Sequence, residues 1–82
     1  MRVYLERIEP ENGLARFYSM LVVPTLFGEW AIVREWGRIG QPGTVRSLTF
    51  SDAATARQEV EAMLARKEHR GYRIRETPAA GG

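Results

Sequence analysis

The run Trp36-Gly37-Arg38-Ile39-Gly40 closes the apolar stretch Trp30-Ala31-Ile32-Val33 and sets an indole and a guanidinium beside flexible backbone. An indole offers a flat face to a sugar or a base, a guanidinium offers a planar donor fork to phosphate or carboxylate, and glycine lets a second molecule come close to the main chain. That is the chemistry of a binding surface. Catalytic chemistry lacks its parts. Ser19, Ser47 and Ser51 have no histidine at workable spacing, His69 is the single histidine, and no pair of carboxylates shares a persuasive face. The loop Gly40-Gln41-Pro42-Gly43 also lacks the lysine of a phosphate-binding loop, and it runs into a strand pattern instead of a helix. With no cysteine, disulfides and thiolate metal sites are excluded, and no cofactor or metal is expected.

Two further groups of candidates surround the run. If the strands on either side of the 39–43 loop pair, Arg34, Arg38 and Arg46 form a phosphate-binding cluster; alternatively, Arg34 and Arg46 make surface ion pairs with Glu35 or Glu29. Lys67 lies near Arg66 and Arg70 at the end of a helical pattern. There it either reaches a phosphate with its stem buried or compensates the helix dipole. Trp36 itself has two readings, a ribose or base platform and a cross-strand aromatic, and Gly37, Gly40 and Gly43 read first as bulge and hairpin residues. The net charge of +2 does not by itself argue for nucleic acid. Placement decides, and eleven of the twelve basic residues are arginines suited to planar, bidentate contacts.

The elements that must position these groups follow from periodicity and turn chemistry. Residues 3–9 and 15–23 read as strands joined across Pro10-Glu11-Asn12-Gly13, with Phe17, Ser19, Leu21 and Val23 on one face of the second and Arg16, Tyr18, Met20 and Val22 on the other. A connection over 25–28 leads to a third strand, 29–38. Its two faces carry Trp30, Ile32, Arg34, Trp36 and Arg38, and Ala31, Val33, Glu35 and Gly37. Residues 44–50 form a fourth strand. Ser51 then caps a helix whose inner stripe is Ala53, Ala56, Val60, Met63, Leu64 and Lys67, and Gly71 ends it in a left-handed conformation. Tyr72-Arg73-Ile74-Arg75 reads as a short fifth strand.

The fold class expected is α+β, an antiparallel sheet of four to five strands with one amphipathic helix on one face. Small Ala31 and Val33 suit a helix packed against them, so the Trp/Arg face of the third strand is expected to point outward. Eighty-two residues with 44% hydrophobic content support one small core, taken as a domain over residues 1–76 with a flexible tail at 77–82. An early Glu6 interrupts any apolar leader and no stretch approaches the length of a membrane span. The expectation is a cytoplasmic, non-membrane protein of undetermined oligomeric state.

Trp36-Gly37-Arg38-Ile39-Gly40, the glycine-containing loop after it, Phe50 before a capped helix, and Lys67 with Gly71-Tyr72 at the helix exit together resemble the WGR domain family over about residues 3–75. The resemblance implies an antiparallel sheet crossed by one helix. Such domains occur in poly(ADP-ribose) polymerases and, in bacteria, as short stand-alone proteins or parts of regulatory proteins. In the polymerases the domain senses DNA breaks: the motif tryptophan packs against sugar at a DNA terminus, basic residues near it and at the helix end touch phosphates, and the motif arginine relays binding to neighbouring domains. Carried over, these roles fall on Trp36, Lys67 and Arg38; the relay presupposes neighbouring domains, which 82 residues do not hold. The reading is a non-catalytic nucleic-acid-binding module, DNA favoured, with Trp36, Gly37, Arg38, Arg34, Arg46 and Lys67 as its contacts. A protein-interaction adaptor using the same surface is the alternative.

Overall fold

The computed structural model describes residues 1–76. The tail expected over 77–82 lies outside the described residues. Strands β1 (Arg2–Glu9), β2 (Leu14–Pro24), β3 (Trp30–Arg38) and β4 (Thr44–Phe50) are followed by helix α1 (Ala53–His69) and strand β5 (Arg73–Glu76). The sheet is antiparallel in the order β4-β3-β2-β1-β5, so four strands run as a meander and the fifth returns to the far edge. The expected α+β class holds, with all five strands present.

Register assigns the faces. Tyr18 lies opposite Trp36, Met20 opposite Arg34 and Val22 opposite Ile32, while Val3 and Leu5 of β1 pair with Met20 and Tyr18. These positions share one side of the sheet. There Val3, Leu5, Tyr18, Met20, Val22 and Ile32 form the core with Ala56, Val60 and Met63 of α1 and Tyr72, flanked by Trp30, Trp36, Phe50 and Leu64. The Trp/Arg face of β3 is therefore the helix-covered face, contrary to the expectation that it points outward. The reason is area: a helix needs a broad apolar floor, and Ile32 and Trp30 supply far more of it than Ala31 and Val33. Among the described residues the opposite face has no helix, and there Tyr4 and Phe17 stack at 6.1 Å while Leu21 and Val45 are exposed.

Helix α1 is capped by Asp52, not Ser51. The Thr55 N–H donates to Asp52 Oδ1 at 2.7 Å and the Thr55 hydroxyl to Oδ2 at 3.1 Å, whereas the Ser51 hydroxyl only donates to Asp52 at 3.4 Å. An aspartate one residue before the first helical turn is as good a cap as serine and adds charge at the positive end of the dipole. At the other end Gly71 adopts φ +97. The Gly71 N–H donates to the Glu68 carbonyl and the Tyr72 N–H to the Lys67 carbonyl, both at 3.0 Å. This paired pattern is a Schellman motif, and it brings Tyr72 back beside Lys67.

Candidate functional site

At the C-terminal end of α1 the helix meets the aromatic part of the core face. Tyr18 and Trp36, directly opposite on β2 and β3, stack there with ring centroids 5.9 Å apart and planes at 18°. Tyr72 meets Tyr18 edge-on at 6.5 Å. Lys67 folds over this platform, its Nζ 4.4 Å from the Tyr18 centroid and 5.5 Å from that of Tyr72. The Arg34 guanidinium lies 5.4 Å from the Trp36 ring centre. Both arrangements are cation–π contacts, which orient a cation without neutralising it.

The two strand rows that bracket the platform are also cationic. Arg34 sits opposite Arg46, and Arg38 opposite Arg16, which in turn pairs with Arg7 of β1. Among the described residues, ion pairs join Arg7 to Glu9, Arg66 to Glu59 and Arg75 to Glu6; Arg16, Arg34, Arg38, Arg46 and Lys67 have no carboxylate at ion-pair distance. The sequence alternative of Arg34 or Arg46 pairing with Glu35 or Glu29 is thus not what the side chains do. Arg46 instead donates to the Val45 carbonyl at 2.8 Å, and the Arg34 Nε is buried without a hydrogen-bond partner. Burial holds the Lys67 ammonium below the usual lysine range, and the charges of Arg70, Arg34 and Arg66 push it the same way. Like charges gathered around a lysine on an aromatic floor raise the free energy of the empty site, and an anion would relieve it.

Of the residues expected from sequence, Trp36, Arg34 and Lys67 converge on one platform. Arg38 and Arg46 flank it on the same face, both exposed. Gly37 is different. A Cβ there would sit 3.2 Å from the Gly43 Cα and 3.6 Å from the Phe17 ring; one on Gly43 would come within 2.7 Å of the Trp36 carbonyl oxygen. These two glycines let the β3–β4 hairpin close over Phe17 on the face away from Lys67. Two contributors escaped the sequence reading: Tyr18, the floor of the platform, and Arg16, the partner of Arg38. Alternation put both on one face of β2, but only the β2–β3 register reveals what they stand opposite.

No helix among the described residues is long and apolar enough to cross a membrane, and none of their His, Asp or Glu side chains gather in threes able to hold a metal ion. No solved structure matches the chain significantly. An uncharacterized protein from Sinorhizobium fredii is 39% identical over 74 residues, which cover 90% of this chain and 36% of that relative. The chain thus spans about a third of the relative's length. The model of the WGR domain, a small binding domain not catalytic by itself, matches residues 1–79, and with the tryptophan-glycine-arginine run, the helix-exit Lys67 and the five-stranded sheet in place, the chain belongs to the WGR domain family.

Proposed function

We propose that this domain binds nucleic acid, DNA in particular, at an end or break, with Trp36 set against an exposed sugar or base and Arg34, Arg38, Arg46 and Lys67 against phosphates. The observation that carries the reading is the cluster of cations without carboxylate partners around the Trp36–Tyr18 stack. A phosphate diester is the anion such a cluster suits, because it brings charge and a flat, apolar neighbour at once. α1 lies on the sheet with its inner stripe in the core, and among the described residues no exposed α-helix is arranged to read base edges in a groove. Binding is accordingly sequence-independent. Arg16 joins the phosphate contacts through its place opposite Arg38.

The test is a titration of labelled nicked, blunt-ended and intact duplexes at low salt with the wild-type chain, Trp36→Ala and Lys67→Met. Tighter binding to the nicked and blunt duplexes, weakened about tenfold by either substitution, supports the proposal. No binding at low salt, or affinity indifferent to both substitutions, sinks it. A protein partner retained after nuclease treatment and lost with Trp36→Ala would transfer the surface to protein recognition.

A further inference from the structure

The two edges of the sheet are built differently. β5 carries Arg73 and Arg75 and meets β1 through a register shift between Tyr4 and Leu5. Charge and irregularity are usual ways of keeping an edge from pairing. β4 has no such irregularity and little charge. All seven of its residues pair in unbroken register with β3, it contains no proline, Arg46 is its one charge, and every residue from Thr44 to Thr49 is exposed. Paired on one side only among the described residues, such a strand turns alternate N–H and C=O groups outward along its length.

We infer that β4 pairs antiparallel with β4 of a second copy of this chain, about a two-fold axis at Ser47. This register uses all seven residues. It sets Val45 opposite Thr49 of the second copy, Arg46 opposite Leu48 and Thr44 opposite Phe50, so neither arginine directly faces the other and each pair lies on one side of the joined sheet. The axis is perpendicular to the sheet and leaves both helices on the same side. Because α1 lies across β2, β3 and β4, its axis runs near β3. With α1 above β3, a strand spacing of about 4.8 Å would set the two helices about 14 Å apart, outside the 8–10 Å of packed helices. The two Trp36 platforms come to lie on one face of a ten-stranded sheet.

Val45 and Thr49 are exposed on the face away from α1 and outside the cationic site, so both accept charge without disturbing the fold or that site. The double variant Val45→Lys/Thr49→Lys sets ammonium opposite ammonium twice across the axis, and Val45→Lys/Thr49→Glu sets ammonium opposite carboxylate twice. Sedimentation equilibrium from micromolar to submillimolar concentration, with circular dichroism to verify folding, reads the result. The inference expects a concentration-dependent dimer for the wild type, dissociation at least about tenfold easier for the Lys/Lys variant, and recovery in the Lys/Glu variant. A wild-type chain that stays monomeric throughout, or two variants that associate alike, overturns it.

Discussion

The Lys67 ammonium lies 4.4 Å above the ring centre of Tyr18, joining the last turn of the helix to the second strand of the sheet. Three separate pieces of local chemistry meet in that contact. Gly71 reverses the chain and returns Tyr72 beside Lys67, the β2–β3 register stacks Tyr18 on Trp36, and the helix stripe that buries Val60 and Met63 aims Lys67 down the same face. The lysine is held by aromatic rings and backbone geometry, with no carboxylate in ion-pair distance among the described residues, so its charge stays available to a ligand.

Lys67→Met tests this directly, because methionine keeps most of the apolar stem and removes the charge. The thermal midpoint should change little while affinity for DNA falls about tenfold. The pH dependence has a definite sign. The folded-state value of Lys67 lies below its unfolded value, so between the two the unfolded chain holds more protons and stability contributed by this group rises with pH. A bound phosphate has the opposite effect and draws a proton onto the amine. Affinity should therefore decline as pH climbs through the lowered lysine value, and the decline should be missing in Lys67→Met. Calorimetric titration in buffers spanning that range checks both.

Salt dependence follows from the number of phosphates engaged. With Arg38, Arg46 and Lys67 each neutralising one phosphate and Arg34 and Arg16 sharing these three, the logarithm of the affinity should fall against the logarithm of salt with a slope of about −2.7, a loss of roughly 40-fold between about 50 and 200 mM. Removing one contact, as in Arg38→Ala, should bring the slope to about −1.8. A slope near zero would point to a ligand recognised without phosphate.

The strands and helix were legible because each has a strong local signal: alternation in β2 and β3, β-branched residues in β4, a three-to-four stripe in α1. The face of β3 that meets the helix was not. Alternation separates the two faces of β3 without saying which the helix covers; the larger apolar area of Trp30 and Ile32 decides it, and the register that sets Pro24 opposite Trp30 was equally unspecified. One residue of slip exchanges every partner between faces, and would put Phe17 instead of Tyr18 beside Trp36. Lys67 and Gly71 were legible through helix-end chemistry. Arg16 was not, since its meaning lies in the arginine across from it.

The glycines of the β3–β4 hairpin separate packing from backbone strain. Gly40 has φ +87 but open space where a Cβ would stand, so Gly40→Ala should cost about 1–2 kcal/mol for the left-handed conformation alone. Gly43 has an ordinary φ, yet a Cβ there would lie 2.7 Å from the Trp36 carbonyl and 2.9 Å from the Phe17 ring. Since the first of these is backbone, it cannot step aside as a side-chain end would. Gly43→Ala should be at least as destabilising, at roughly 1–3 kcal/mol, and should also weaken DNA binding by shifting Trp36. Urea midpoints of the two variants, with the DNA titration, decide between them; binding loss confined to Gly40→Ala would contradict the packing account.

The helix cap gives a prediction with its own pH signature. Asp52 accepts the Thr55 N–H, and that hydrogen bond, followed by the one from the Thr55 hydroxyl, holds its carboxyl below the usual carboxylate range. A depressed folded-state value means the cap's contribution is fully present above the unfolded value and is lost as pH falls through the folded one. Asp52→Ala should lower the thermal midpoint at neutral pH on the order of 5 °C. Its gap from wild type should then close progressively under acid. Glu9 is also held low, by Arg7 and Asn12, but it is common to both chains and cancels from the difference. Asp52→Asn keeps an acceptor for the Thr55 N–H without a titrating group, so it should retain most of the neutral-pH stability and show no closing gap with Asp52→Ala. Thermal melts of the three chains from neutral to strongly acidic pH provide the check. A gap between wild type and Asp52→Ala that stays constant across that range would show that the cap acts through the shape of the loop and not through its charge.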